Sequence, residues 1–429
     1  MNLNKYNKIG IIGFAREGRS ILNYLEKINF QGEVYIMDRD ISLEYPDTFL
    51  NVSMLLGKTY LDSVFDLELV FKSAGVPANT PALLEASKKG VEFSSNVNLF
   101  FAINKKPVIA VSGTKGKSST VTFIDNVLKK SGFKSQLVGN IGNPILDYIN
   151  ADVDYFVFEI SSYMLESFQG EIDYGVFTSF FPDHMDTHGS FENYKKAKFN
   201  FFKVCNKLYV NDFNQDVKNY LDSNKIDYIS FADANVKFFD GKLLVDNNIY
   251  DIGLDLGTEI LNNFIGAISC LLNLNIPIKF ILEGLKNFKK LPCRQEVFVS
   301  KDGIRFVNDS ASITPESTIA AVKNFKDDLE VLILGGQNRG YDYSQLNNLI
   351  IDLNIKHVLV LPDLNTIDFP FEFKSFENLQ DLITYIVDLD LKSGTVLFSP
   401  GGASYNFYKN FYERGIFFLS SIKKHGLIS

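Results

Sequence analysis

From Pro107 to Thr120 the chain reads Pro-Val-Ile-Ala-Val-Ser-Gly-Thr-Lys-Gly-Lys-Ser-Ser-Thr, an apolar strand that breaks into a glycine loop and then a helix. Such a passage turns main-chain N–H groups and a helix N-terminus toward phosphates. Lys117 adds a cation, and Ser118 or Ser119 offers a hydroxyl to Mg²⁺. Gly113, Thr114, Lys115, Gly116, Lys117, Ser118 and Ser119 are therefore expected to hold the phosphates of ATP. In the helix that follows, Val121, Ile124, Val127 and Leu128 recur on one face and Gly132 suits its end. Val111 stands where the long form of this motif has its first glycine, so the loop is of a shorter type.

A second glycine loop, Gly13-Phe14-Ala15-Arg16-Glu17-Gly18, follows a strand and opens a helix, and Asp38 ends the next strand. That is a dinucleotide-fold layout with Ala15 in place of the middle glycine. It suits a UDP diphosphate as readily as NAD, with a purely structural turn as the lesser alternative. Glu159 closes the strand Tyr155 to Ile160, and Asp183-His184 follows the apolar run Val176 to Phe181. A carboxylate and a histidine at strand ends beside a phosphate loop can hold a metal between the nucleotide and an acceptor carboxylate. By residue type alone they are ordinary hydrogen-bonding scaffold, and Lys198, on a helix with Phe199 and Phe202 inward, is an ordinary solvated lysine.

These residues need elements to carry them. Short Val/Ile/Phe-rich runs at Lys8 to Ile12, Glu33 to Met37, Val108 to Val111, Tyr155 to Ile160, Val331 to Leu334, His357 to Leu361 and Val396 to Phe398 alternate with segments of helical spacing. The class is α/β, with mostly parallel sheets. A third strand-then-glycine switch at Gly335 to Gly340 suggests a third sheet, because each ligand edge lies at the carboxyl ends of its own strands. Three domains are expected, 1–104, 105–292 and 293–429, with boundaries in the polar stretches Asn104 to Pro107 and Leu291 to Arg294. A chain of 429 residues with 46% hydrophobic and 22% charged residues has ample material for several cores.

The net charge of -8 and the absence of a basic, aromatic-studded stripe exclude a nucleic-acid binder. Three cysteines without metal-binding spacing read as free thiols. No window approaches the ~18 apolar residues of a membrane span, and the first residues lack a signal-peptide pattern. A cytoplasmic, monomeric enzyme is expected.

Four segments in order, Gly113 to Thr120, Glu159 to Glu166, Pro182 to Phe199 and Leu291 to Glu296, resemble the central region of the Mur ligases. The segments Val307 to Thr318, Leu334 to Asp342 and Ser399 to Gly415 resemble the C-terminal region of the glutamate-adding branch of that family. The resemblance covers almost the whole chain. It implies that ATP phosphorylates the carboxylate of UDP-MurNAc-L-Ala and that glutamate attacks the acyl phosphate, giving an amide, ADP and phosphate.

Carried over residue by residue, the resemblance makes Lys117, Glu159, His184 and Lys198 catalytic. Ser118, Glu159, His184 and Lys198 become the metal-site positions for two Mg²⁺ ions, with Lys198 carbamylated. Asn263, Arg294 and Asp309 become further nucleotide contacts. Gly13, Ala15, Arg16, Asp38, Arg39, Ser73, Asn140 and Ser161 fall to the UDP-sugar, and Arg339, Ser404, Tyr405 and Phe411 to glutamate. Gly266 stands where asparagine is usual and Met164 where glutamine is usual. Ala311 and Ile313 replace a lysine and a threonine that grip the glutamate carboxylate, and Arg339 replaces a lysine. An Arg fork binds carboxylates with a geometry of its own. D-glutamate is the favoured acceptor and L-glutamate the alternative.

Other readings are an NAD-dependent dehydrogenase, another amide ligase of the superfamily, and a non-catalytic binder. The first leaves the second glycine loop and Lys117 idle, the second makes the N-terminal UDP sheet superfluous, and the third leaves Lys117, Glu159, His184 and Lys198 unexplained.

Overall fold

The structure is a computed structural model and describes residues 2–76, 80–140, 143–184, 188–253, 258–289, 291–337, 341–362, 364, 367, 369–404 and 407–428, apart from the side chains of 258 and 259. The chain divides into two compact units, Met1–Leu254 with Leu261–Asn287, and Asp255–Ile260 with Phe288–Ser429.

The first unit holds two parallel sheets. One is built from β1 (Lys8–Ile12), β2 (Glu33–Asp38), β3 (Asn51–Leu56), β4 (Leu69–Lys72) and β5 (Glu92–Ser94), in the order β3-β2-β1-β4-β5. The other contains β6 (Val108–Ser112), β7 (Ser135–Gly139), β8 (Tyr155–Glu159), β9 (Ile172–Phe177), β10 (Cys205–Val210) and β11 (Ile229–Ser230), in the order β11-β10-β9-β6-β8-β7. Strands β4 and β6 are buried at every position. Parallel strands covered on both faces need such unbroken apolar runs. The helix Lys117–Lys130 buries Val121, Ile124, Val127 and Leu128, the face expected from its spacing.

Both orders place a switch point beside a glycine loop. From β6 the chain runs outward to β7, returns through β8, then crosses to β9 on the other side of β6. The carboxyl end of β6 therefore opens between diverging connections, where ligands of such sheets bind. The first sheet repeats this around β1, between β2 and β4.

An antiparallel meander of β12 (Val236–Phe239), β13 (Lys242–Val245) and β14 (Asn248–Asp251) follows, which the α/β reading of the sequence omits. Its two-residue turns are Asp240-Gly241, at φ 43° and 69°, and Asp246-Asn247, at φ 47° and 70°. Consecutive left-handed residues make the tight hairpin turns whose twist matches the strands.

The second unit carries β15 (Glu296–Val299), β16 (Arg305–Asn308), β17 (Leu329–Gly335), β18 (His357–Val360), β19 (Lys374–Ser375) and β20 (Thr395–Gly401). Their order is β15-β16-β20-β17-β18-β19, with β15 antiparallel to β16 and the rest parallel. Every strand expected from the sequence is present, and the α/β class holds. Cys205, Cys270 and Cys293 are free thiols. Among the described residues no helix is long and apolar enough to cross a membrane.

Candidate active site

The loop after β6 is built around two glycines in the left-handed half of conformational space, Gly113 at φ 136° and Gly116 at φ 86°. A Cβ at Gly113 would collide with Thr178 Oγ1, and one at Gly116 with the Asn263 amide. Larger residues are excluded at both positions by backbone and by space. The loop is braced from the end of β9. Lys115 N donates to Ser179 Oγ (2.9 Å), Thr114 N to the Ser179 carbonyl (2.7 Å), and Thr178 Oγ1 to the Lys115 carbonyl (2.5 Å). Thr178 and Ser179 escape a reading of the sequence, since hydroxyl residues at a strand end are commonplace.

The helix Lys117–Lys130 then begins with Gly116 as its cap and no side-chain cap bond. Its positive dipole end lies beside buried Ser118 and Ser119. Lys117 Nζ curls back over the loop, 2.9 Å from the Gly113 carbonyl and 2.8 Å from that of Thr114.

Three further expected residues gather here. Lys198, on the helix Phe191–Val204, is 2% exposed and donates to the Gly113 carbonyl (2.6 Å) and Ser112 Oγ (3.3 Å). Burial, and then the neighbouring Lys117 cation, push its pKa well below the usual lysine value. Glu159, 1% exposed, ends β8 opposite Val111 of β6. Its Oε1 accepts from Asn140 Nδ2 at 2.8 Å, while buried Oε2 has no hydrogen-bond partner among the described residues. A lone carboxylate oxygen in that state is expensive unless a cation meets it. His184 sits at φ 54°, its pKa brought down to about 4 by burial and by Lys115 and Lys117 against the opposing pull of Asp183. Asp183 is buried 3.7 Å from Lys115 Nζ. Burial alone would raise its pKa, and Lys115, His184 and Lys117 together hold it below the usual value.

The chemistry of these donors suits Mg²⁺. That ion takes one or two carboxylates and fills its octahedron with waters and substrate phosphates. Glu159 Oε2 and the serine hydroxyls are of this kind, and no cluster of three His, Cys, Asp or Glu side chains, such as a closed protein cage would need, occurs among the described residues.

A cavity of about 400 Å³ lies between the carboxyl edges of the two sheets of the first unit. Gly13, Ala15, Arg16, Ser73, Asn140 and Ser161, all expected to meet the UDP-sugar, line it together. Ser73 Oγ donates to the Gly13 carbonyl (2.8 Å), and Ala74 N donates to the half-buried Glu17 carboxylate (2.8 Å), so the first glycine loop is tied to the end of β4. Glu17, Asn96 and Tyr163 also face the cavity and were not expected. Asp38 and Arg39 stand apart from its lining: Asp38 accepts from Phe14 N (2.7 Å) and Asp40 N (3.0 Å), and exposed Arg39 lies over the Tyr60 ring. Met164 lines the cavity.

In the second unit, Arg294 lies over the Phe411 ring, 5.6 Å from its centroid. Buried Asp309 accepts from Gln295 N (3.1 Å), Ser312 Oγ (2.6 Å) and Ser399 Oγ (2.8 Å), bonds that organise its own sheet edge. Ser404 lines a cavity of about 440 Å³ with Gly335, Gly336, Phe407 and Tyr408. Arg414, unexpected from the sequence, is 3% exposed there and donates to Ser310 Oγ, the Ser310 carbonyl and the Gly402 carbonyl. Burial lowers its pKa to about 10. Arg339 and Tyr405 lie outside the described residues.

Residues 111–253 match the family described as the Mur ligase middle domain. The chain is 29% identical to the UDP-N-acetylmuramoylalanine--D-glutamate ligase of Buchnera aphidicola subsp. Acyrthosiphon pisum, over 99% of this chain and 100% of that protein. It is 28% identical to the enzyme of the same name from Thermotoga petrophila, over 98% of this chain and 99% of that one. Among solved structures, MurF ligase from Thermotoga maritima in complex with ADP aligns with a TM-score of 0.61 at 12% identity, over 98% of this chain and 94% of that one. A pseudomurein peptide ligase type C from Methanothermus fervidus aligns with a TM-score of 0.61 at 18% identity, over 98% and 100%. The two structural likenesses speak to the fold.

Proposed function

We propose that this chain, which belongs to the Mur ligase family, joins D-glutamate to UDP-N-acetylmuramoyl-L-alanine in the making of peptidoglycan precursors, with ATP as the energy source and Mg²⁺ as the metal. The observation that carries the reading is the Asn140–Glu159 hydrogen bond. Asn140 belongs to the cavity lined by both sheets, Glu159 stands beside the glycine loop with one oxygen unpartnered among the described residues, and the bond joins the two sites.

In this mechanism the loop N–H groups and the helix N-terminus hold the β- and γ-phosphates, and Lys117 turns from the loop carbonyls onto them. Bound Mg²⁺ supplies charge neutralisation for the γ-phosphoryl group, and Ser118 and Glu159 would hold it. The cavity aims the alanyl carboxylate of the precursor at that phosphoryl group. The carboxylate takes the γ-phosphoryl group as ADP leaves, the glutamate amine then attacks the carbonyl carbon of the acyl phosphate, the amide forms as phosphate leaves, and the amine proton passes to solvent or a nearby base. Positioning and electrostatic complementarity supply the rate, because phosphoryl transfer asks little covalent chemistry of the protein.

Finer parts of the reading are a second Mg²⁺ at His184, a carbamylated Lys198, and Ser404, Phe411, Arg339 and Tyr405 on the acceptor side. Buried Lys198 beside Lys117 favours the neutral amine, the form that takes up CO₂ to become an anion. Asn263, Arg294 and Asp309 serve the nucleotide, and the enzyme acts as a cytoplasmic monomer with domain boundaries near residues 104 and 292. Phosphate release in the presence of UDP-MurNAc-L-Ala, compared between D- and L-glutamate, tests the proposal. Turnover with D-glutamate is expected. A preference for L-glutamate would move the chain to the alternative acceptor, and release with neither would remove the ligase reading.

A further inference from the structure

We propose that Tyr163 is a positioning residue for His184, fixing the imidazole so that Nδ1 carries the proton and Nε2 offers its lone pair to the metal site. The inference rests on the ligase reading for what His184 does, and on geometry alone for how it is held.

Tyr163 belongs to the short helix Ser162–Leu165, whose cap Ser161 accepts from Met164 N. Its ring forms part of the wall of the precursor cavity, and its hydroxyl lies 2.8 Å from His184 Nδ1. The other ring nitrogen of His184 is 3.6 Å from Asp183 Oδ2, longer than a hydrogen bond. A phenol hydroxyl can donate or accept, so the contact fixes the orientation of the ring, and with Tyr163 accepting, Nδ1 carries the proton and Nε2 keeps the lone pair that a cation needs. The backbone helps: His184 is held at φ 54°, and its N–H donates to Asp183 Oδ1 at 2.9 Å. A non-glycine residue keeps that conformation only where its surroundings demand it.

Tyr163 is itself clamped. The His188 ring lies flat on it, with centroids 5.1 Å apart and planes 4° from parallel, and His188 Nε2 is 3.1 Å from Ser162 Oγ. Asn193 Nδ2 donates to the His188 carbonyl (2.9 Å), tying the stack to the helix Phe191–Val204 that also carries Lys198. One rigid row, Ser162, His188, Tyr163 and His184, thus runs from the end of β8 to the glycine loop's edge. Histidines that bind metals gain their orientation from a partner on the second ring nitrogen, and losing that partner costs roughly 10- to 100-fold in metal affinity or activity.

The test uses Tyr163→Phe, which keeps the ring stacked on His188 and removes only the hydroxyl. With four histidines in the chain, long-range ¹H–¹⁵N spectra of the metal-free protein can be assigned by single substitutions and read the His184 tautomer directly. The Nδ1–H form is expected in the wild type and a mixture in Tyr163→Phe. In turnover, the Mg²⁺ concentration for half-maximal rate should rise about tenfold in the variant, with the KM for UDP-MurNAc-L-Ala changed less than twofold. An Nε2–H form in the wild type, or a tautomer unchanged by the substitution, overturns the proposal, as does an unaltered Mg²⁺ dependence. The spectra need no substrate, so a wild type inactive with both glutamate isomers would count against the ligase reading while leaving the Tyr163–His184 pairing to be judged by its own spectra.

Discussion

His184 titrates unlike an ordinary histidine because burial and three lysines, Lys115, Lys117 and Lys198, oppose its cation more than Asp183 supports it. With its folded pKa near 4 and an unfolded value of about 6.5, the unfolded chain binds more protons than the native one throughout that window. Stability therefore falls as pH drops from about 6.5 to about 4, and the loss should be on the order of 2 to 3 kcal/mol. Replacing His184 by Gln should flatten this part of the curve. Urea unfolding of both proteins at pH 7.5, 6, 5 and 4 measures it, and parallel curves would show that His184 is freely solvated. At this scale the sequence speaks unevenly. Gly113 and Gly116 announce themselves, since a phosphate loop needs left-handed backbone where Cβ atoms cannot go. Lys198 does not: nothing in Tyr194 to Phe199 distinguishes a buried lysine from a solvated one, and only the order of neighbouring segments pointed to it. Tyr163 and Ser179 were invisible because their work depends on partners distant in sequence, His184 and Lys115.

The elements that carry these residues were easier to foresee where burial is two-sided, as in β4 and β6, because apolar runs leave little choice. The meander was missed although its turns, Asp240-Gly241 and Asp246-Asn247, are strong hairpin signals; its strands alternate buried and exposed residues weakly, with Lys242 and Asn248 at their starts. Element packing also explains one departure from the family pattern. The helix Thr258–Asn273 presents Asn263 to the glycine loop and, one turn later, Gly266 to the edge of the sheet. A Cβ at 266 would run into the ring of Phe231, which is 2% exposed, and would press on Val176 of β9. Glycine and phenylalanine here are one packing solution. Restoring the usual residue by Gly266→Asn should destabilise the fold by about 1–3 kcal/mol through overpacking, and Phe231→Ala in the same chain should return part of that loss, a coupling expected for residues in contact. Thermal melts of the two single variants and the double variant decide it, and strictly additive losses would mean that Phe231 and Gly266 do not share this space.

Across the whole molecule, the polar stretch Asn104 to Pro107 reads in the sequence as a joint, and one core runs across it. One apolar cluster takes in Ile9, Leu25 and Phe100 from the first sheet's side and Val108, Phe156 and Phe177 from the second's. Its seam is aromatic: Phe100 meets Phe156 edge-on at 5.0 Å and Phe101 meets Phe168 at 4.8 Å. Side-chain packing of this kind is not written in the pattern of the helix Asn96–Ile103, where Phe100 and Phe101 could face any apolar surface. The second unit has a core of its own, including Phe306, Val331, Ile333 and Phe398. Two sheets that share a core should open together, as a single cooperative unit, and the cavity reinforces this because Gly13 and Ser73 come from one sheet and Asn140 and Ser161 from the other. A ligand seated there must stabilise both by the same free energy, about 2.7 kcal/mol at 100 times its Kd. Native-state hydrogen exchange on the slowest amides of β1 and β6, with and without UDP-MurNAc-L-Ala, measures the gain strand by strand. Equal increments in β1 and β6 are expected; protection gained by one strand and not the other would mean that the sheets open independently and that the aromatic seam does not couple them.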